Sequence, residues 1–245
     1  LYWRGNRLKA IFYNGDLANA HIGDIISEVY HARIYDPVIR AVGLRANHSV
    51  PKPLVIVDAG SNIGITAVYF ADYADKVYAL EPCKDHYDCI RNTLELNEQW
   101  QDVFPMKVAL WDKDGTYNLH HSSNPTAHSL LDNGIGGPIE EVTTVTLSTL
   151  MRMKEIDTID LLKLDVEGAE SEILRGESFK SVAHRIRYII GEWHSWTMLS
   201  QEALRRELVS AGYEAAWLGL GNGAPTIFVA WRQGEIAPVY GGQAQ

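Results

Sequence analysis

Val55-Ile56-Val57-Asp58-Ala59-Gly60-Ser61-Asn62-Ile63-Gly64-Ile65-Thr66 is the stretch on which the fold turns. A β-branched run ends in an acid, two glycines follow, and an apolar segment able to form a helix comes next. Short apolar runs of this kind are the mark of buried parallel strands. Gly60 and Gly64 permit a tight turn and a close backbone approach that a side chain would block. The N–H groups opening the next helix then face the space beyond the strand, with a partial positive charge behind them. The outline is that of a nucleotide-type site.

Read outward from this stretch, strand and helix alternate. Strands are expected over 54–58, 77–81, 103–111, 159–165 and 186–193, with helices over 63–73, 85–97, 168–175 and 201–211. Such alternation predicts a parallel sheet with helices on both faces. The last two strands, 213–218 and 226–231, are joined by a Gly-Asn-Gly-Ala-Pro loop too short for a parallel crossover. They must form an antiparallel hairpin. Between the third and fourth core strands, 116–121 and 142–147 alternate as strands, joined by a long loop through Asn133-Gly134-Ile135-Gly136-Gly137-Pro138. This reads as a small β-insertion at the rim of the site, and long loops of this sort are often functional. Residues 1–50 are taken as an N-terminal helical cover, with a strand at 8–13, a turn at 14–16 and a helix at 22–35. Residues 51–245 form the main domain, and the chain is one domain overall. The tail from Gln233 is expected to be loose.

Composition narrows the function classes. A net charge of −9, with no long lysine or arginine run, disfavours nucleic acid as partner or substrate. No apolar run is long enough to span a bilayer, since even 53–70 is interrupted by Asp58, Ser61 and Asn62. The chain starts at Leu1 rather than Met, which points to a trimmed upstream piece, and no signal peptide is visible in what remains. Cys83 and Cys89 fall in one helical stretch nearly two turns apart, too far for an easy disulfide, and match no zinc spacing. Both read as reduced, packed thiols of a cytoplasmic protein.

A dinucleotide fingerprint requires G-x-G-x-x-G after the strand. Aligned on Gly60, the second and third positions fall on Asn62 and Ile65. The acid-then-glycine pattern instead resembles motif I of the S-adenosylmethionine (SAM) methyltransferases. That resemblance implies that Asp58 orders the loop beside the amino-acid end of SAM, with Gly60, Ser61, Asn62 and Gly64 beneath it. Glu81, at the carboxyl end of the second strand, can accept hydrogen bonds from both ribose hydroxyls, physics shared with nicotinamide cofactors. Ala109 completes the cofactor set. Asn97 reads as a helix cap rather than a cofactor contact.

The segment Ile159-Asp160-Leu161-Leu162-Lys163-Leu164-Asp165-Val166-Glu167-Gly168-Ala169-Glu170 is the most specific in the chain. Period-two alternation puts Leu161, Lys163 and Asp165 on one side and Leu162, Leu164 and Val166 on the other. A lysine inside a central strand is costly to bury unless paired, and Asp165, Glu167 and Glu192 are the candidate partners. Together with Ile173-Leu174-Arg175-Gly176, the segment resembles the signature of the FkbM-type methyltransferases. The likeness extends over roughly 54–232, including His128-Ser129-Leu130 and Thr146-Leu147. Ser148 stands where that family commonly has an aspartate, a departure expected to affect local packing. The resemblance implies a class I, Rossmann-like fold: a mostly parallel seven-stranded sheet with a terminal antiparallel hairpin. It also implies SAM-dependent O-methylation of a hydroxyl on a sugar, glycan or polyketide-like natural product.

Glu192 and His194 share a face at the end of the fifth core strand. Asp165, Glu167, Glu192 and His194 are therefore assigned to the acceptor site, with Lys163 fixing the carboxylates. His194 is the preferred general base and His128 a second candidate, while His120-His121 reads as surface. A divalent cation held by Asp165 and Glu192 is a variant, since oxygen ligands suit a hard metal able to lower a hydroxyl pKa. Two alternatives stand beside this reading. An NAD(P)-dependent oxidoreductase is argued against by the glycine pattern and the terminal hairpin. A non-catalytic SAM-binding module would keep Asp58, Gly60 and Glu81 without a competent acceptor site.

Overall fold

The computed structural model describes residues 19–46, 54–98, 101–122, 127–132, 137–194, 197–219 and 226–240. The expected strand at 8–13, the turn at 14–16, most of the 133–138 loop and the 221–225 loop lie outside them. The described chain opens with α1 (Asn19–Ile26), which runs into a π-helical turn (Ser27–Ala32). That turn ends where Arg33 adopts a left-handed conformation, and α2 (Asp36–Ala46) follows. Next come β1 (Val55–Ala59), α3 (Ile65–Ala71), β2 (Lys76–Leu80), α4 (Lys84–Asn97), β3 (Val103–Met106) and β4 (Ala109–Leu110). The insertion contributes β5 (Gly115–His120) and β6 (Ile139–Val145), and α5 (Leu147–Met153) leads back to β7 (Ile159–Leu164). The chain closes with α6 (Glu170–Arg175), α7 (Glu177–Val182), β8 (Ile186–Trp193), α8 (Gln201–Ser210), β9 (Tyr213–Gly219) and β10 (Thr226–Arg232).

The main sheet has seven strands in the order β3-β2-β1-β7-β8-β10-β9. All pairs are parallel except β10 with β8 and with β9, so the terminal hairpin is antiparallel as expected. Every residue of β1 and β7 is buried, which fits strands covered on both faces. Alternation sorts the side chains. Val57, Ala59, Leu162 and Leu164 enter one core with α5 to α8, and Ile56 and Leu161 enter the other with α3 and α4. Val29, Tyr35, Val38 and Val42 of the N-terminal helices pack into this second core. Strand order reverses between β1 and β7, and the carboxyl ends there define the crevice where such sheets hold ligands.

Several boundaries differ from the expectation. The 103–111 strand is two strands: Val108 N–H donates to Met106 O at 2.9 Å, a tight turn that takes the chain off the main sheet. β4 then joins a separate three-stranded sheet, β4-β6-β5. The expected strand 142–147 begins earlier, at Ile139, and stops at Val145, because Thr146 caps α5 through its Oγ1, which accepts from Thr149 N–H at 3.2 Å. Nor is the tail from Gln233 loose throughout. Glu235 pairs with Arg187 at 3.1 Å, and Arg187 also holds Asp160 at 2.7 Å. Cys83, at the N-cap of α4, and Cys89, within it, are both buried, and neither is in a disulfide among the described residues. Among the described residues, no helix is long and apolar enough to cross a membrane.

Candidate active site

The turn after β1 is built to be close. Gly60 takes φ +78°, and a Cβ there would sit 1.8 Å from the Asp165 carbonyl oxygen, so only glycine fits. Gly60 and Ser61 N–H both donate to Leu80 O at 3.0 Å, which ties the ends of β1 and β2 together. Glu81 reinforces the tie: one carboxylate oxygen accepts from Asn62 N–H and the other from Cys83 N–H, each at 2.9 Å. Burial pushes the Glu81 carboxyl up to about 8, against the pull of those donors and of Lys163. Gly64 has a different task from the one expected of it. It does not reach the cleft; at φ +89° it opens α3 and lets Ile90 of α4 pack close, with Ile90 Cα 3.3 Å from where a Cβ would stand.

Asp58 and Lys163 are direct partners across the β1–β7 register. Lys163 Nζ lies 3.1 Å from Asp58 and 3.3 Å from Asp165, and donates to Gly60 O at 2.8 Å. Burial alone would lower the lysine's pKa, but the two carboxylates outweigh it and raise it, so the ammonium is retained. The expected partners of Lys163 are thus corrected. Asp165 is one, Asp58 is the other, and Glu167 and Glu192 face His194 instead. Asp58 is fully buried, accepts from Thr66 Oγ1 at 2.6 Å, and acts on the glycine turn from below rather than from within the cleft.

A cleft of about 240 Å³ opens over these strand ends. Gly60, Ser61, Asn62 and Glu81 line its centre, and Pro82, Ala109, Leu110 and Leu119 give one end apolar walls. His86 and His128 stand there with rings stacked at 5.0 Å. Burial first, and then neighbouring histidines, lower both to about 4, so both are neutral. His128 Nδ1 accepts from Ser122 N–H at 3.1 Å, and His121 packs on His128 while pairing with Glu140 at 3.2 Å. The surface role expected of His121 is therefore replaced by a place behind the cleft wall.

The other end is acidic. Asp165, Glu167 and Glu192 line it, and the N-terminal segment brings Asp24, Glu28 and Tyr35 to it, Tyr35 from the turn before α2. Burial pushes Glu28 up, with Asp165 and Asp24 adding to the shift. Glu167 and Glu192 are each pushed up to about 8, first by burial and then by Asp165. His194 sits behind them and does not line the cleft. Its Nε2 lies 3.4 Å from both Glu167 and Glu192, and its Nδ1 lies 3.4 Å from Glu170. Burial would lower it, but the bond with Glu170 and the charges of Glu167 and Glu192 raise it to about 9. An imidazolium cannot accept a proton, so the preference for His194 as base is revised; Glu192, on its cleft side, has the access that His194 lacks and acts as base in its ionised form, whose share grows as pH rises toward about 8. The metal variant shifts too: the donor atoms that converge are those of Asp165, Glu167 and His194, not of Asp165 and Glu192 alone.

Sequence reasoning did not reach Glu170, Glu28 or His86. The signal for Glu170 was present in the quoted segment, where it follows Glu167 by almost one helical turn. Nothing in the sequence signalled that the N-terminal helices bring acids to the cleft. Asn97 closes α4 and donates from Nδ2 to Thr93 O, away from the cleft. Ser148 lies in the first turn of α5, where its N–H donates to Ser178 Oγ at 3.0 Å.

A methyltransferase named sdnD from Sordaria araneosa is 31% identical over 160 residues, covering 52% of this chain and 62% of the relative. A hexuronic acid methyltransferase, AglP, from Haloferax volcanii is 28% identical over 144 residues, 58% of this chain and 56% of the relative. The chain therefore spans about three-fifths of the length of the curated relatives it matches. Among solved structures, magnesium protoporphyrin IX methyltransferase from Synechocystis PCC 6803, with bound SAM, superposes with a TM-score of 0.51. At 16% identity over 93% of this chain and 90% of that one, the likeness is one of fold, the class I methyltransferase fold. The model of the FkbM methyltransferase domain matches residues 58–215, well over half of the sequence, and the chain belongs to that family.

Proposed function

We propose that this methyltransferase takes its methyl group from SAM and delivers it to a hydroxyl of a sugar, glycan or polyketide-like natural product. The observation that carries this reading is the polarity of the cleft, apolar at one end and acidic at the other, with the glycine turn and Glu81 between. Adenine lies at the apolar end against Pro82, Ala109 and Leu110, and the ribose hydroxyls donate to Glu81. The amino-acid end lies at Gly60, Ser61 and Asn62. The sulfonium faces the acidic end, where Asp165, Glu167 and Glu192 receive the acceptor.

Transfer is an in-line displacement. The acceptor oxygen forms a bond to the methyl carbon as the carbon–sulfur bond breaks, and the bonding pair stays on sulfur, leaving S-adenosylhomocysteine. The hydroxyl proton passes to Glu192, which must be ionised to accept it. Most of the acceleration comes from holding oxygen and methyl carbon ~3–3.5 Å apart and aligned. His194 positions Glu167 and Glu192 from behind, and Lys163 positions Asp165. The relative named for a hexuronic acid supports a sugar-type acceptor, and the buried, reduced thiols Cys83 and Cys89 support a cytoplasmic setting. The test is a screen for S-adenosylhomocysteine release with sugars, glycans and hydroxylated natural products, set against amines and thiols. Release with hydroxyl acceptors alone is the expected result. Transfer confined to amines or thiols would refute the acceptor class.

A further inference from the structure

We infer that the acidic end of the cleft is a divalent-cation site, with Asp165, Glu167 and His194 as its protein ligands and its open positions turned toward the acceptor. The site itself stands on geometry, and its role in transfer rests on the O-methyltransferase reading above.

One oxygen each of Asp165 and Glu167 and one ring nitrogen of His194 lie within 4.8 Å of one another. His194 Nε2 is 3.4 Å from Glu167 Oε2 and from Glu192 Oε1. Ligands held at about 2.0–2.2 Å from one ion stand roughly 3.0–3.5 Å from each other. The Nε2–Glu167 and Nε2–Glu192 separations fall in that range, and the Asp165 oxygen lies within 4.8 Å of the other two ligand atoms. Behind the ring, His194 Nδ1 faces Glu170 Oε1 at 3.4 Å, and that oxygen also accepts from Val166 N–H at 2.9 Å. Glu170 is 1% exposed, and its Oε2 has no hydrogen-bond partner among the described residues. A carboxylate buried behind a histidine fixes the tautomer that presents the opposite nitrogen to a metal, and a cation binding there would displace the proton that the imidazolium carries on Nε2.

Charge points the same way. Asp165, Glu167, Glu170 and Glu192 converge on the single imidazole of His194 with Glu28 nearby, and Lys163 is committed to Asp58, Asp165 and a carbonyl. Among the described residues, two other groups of potential ligands lack this arrangement. In one, both oxygens of Glu81 hold backbone N–H groups, and in the other His128 Nδ1 does. One imidazole with carboxylates suits Mn²⁺ better than an oxygen-only preference such as that of Mg²⁺. A bound cation would take the acceptor hydroxyl into an open position and lower its pKa, with Glu192 receiving the proton.

The test is a Mn²⁺ titration of the full chain followed by electron paramagnetic resonance, with S-adenosylhomocysteine binding and melting temperature measured on every sample. One saturable Mn²⁺ per chain with a nitrogen coupling is expected. His194→Ala should abolish both, Glu167→Gln should weaken binding at least tenfold, and Glu170→Gln should weaken it about 10–100-fold. If His194→Ala fails to fold, Glu167→Gln and Glu170→Gln decide alone. No binding up to millimolar Mn²⁺, or binding that these variants leave unchanged, overturns the site. S-adenosylhomocysteine binding to chelator-treated protein separates the two claims: binding there with no Mn²⁺ bound removes the cation and leaves the proposed function standing.

Discussion

Glu192, Lys163 and Glu81 carry the account at the scale of single residues. Glu192 lines the cleft in front of His194, so Glu192→Gln should lower kcat by about 10²–10⁴-fold. Affinity for S-adenosylhomocysteine should change little, and single-turnover kinetics beside calorimetry separate the two effects. Lys163 offsets two carboxylates, one of them fully buried. Removing one partner of a buried pair costs about 3–5 kcal/mol, so Lys163→Met should lower denaturation stability by that order. Adding Asp58→Asn should recover part of the loss. Glu81 links ligand to pH. It faces the N–H groups of Asn62 and Cys83, the Cys83 thiol, His86, Lys163 and Asp58, and burial leaves it at about 8. Ribose hydroxyls donate best to the ionised carboxylate, so binding must expel a proton when the pH is below that value. Affinity for SAM should rise with pH by at most about tenfold per unit and flatten above about 8. Calorimetry in buffers of differing ionisation enthalpy reads the released proton. An affinity that falls over the same range would contradict the assignment.

At the scale of elements, the β1 turn is the least tolerant piece. Gly60→Ala would place a Cβ against the Asp165 carbonyl at a left-handed φ, whereas Gly64→Ala meets only Ile90 at ordinary-to-tight distance. Left-handed strain costs about 1–3 kcal/mol for a non-glycine residue. Gly60→Ala adds a backbone clash to that, so its melting temperature should fall further than that of Gly64→Ala, and its S-adenosylhomocysteine binding should be lost. The strands and helices around this turn were legible because alternation, apolar runs and glycine punctuation are local signals. Thr146 ending β6 and capping α5 was not, because a threonine in an alternating stretch reads equally well as strand. The break between β3 and β4 was hidden for a related reason: a tight turn at Met106–Val108 leaves no glycine or asparagine to mark it.

For the whole molecule, the sequence yields which residues meet at the sheet edge more readily than which of them pair. Asp58, Glu81, Asp165, Glu167 and Glu192 all follow from strand ends. The Asp58–Lys163 pair depends on register between strands far apart in sequence, and the reversal of role for His194 depends on Glu170 folding back behind it. The same long-range packing brings α1 and the π-helical turn across the cleft; the apolar spacing over 22–35 predicts a helical cover but not which of its acids reach the cleft. Ligand binding should couple these parts, and at a concentration of 100 times Kd it should add about 2.7 kcal/mol to stability. The central claim is that SAM spans the edge between β1 and β2, and titration calorimetry with S-adenosylhomocysteine tests it most directly. The account predicts one site per chain, abolished by Gly60→Ala and accompanied by proton release below pH 8. Absence of heat with both SAM and S-adenosylhomocysteine, beside clear binding of NADH, would contradict it.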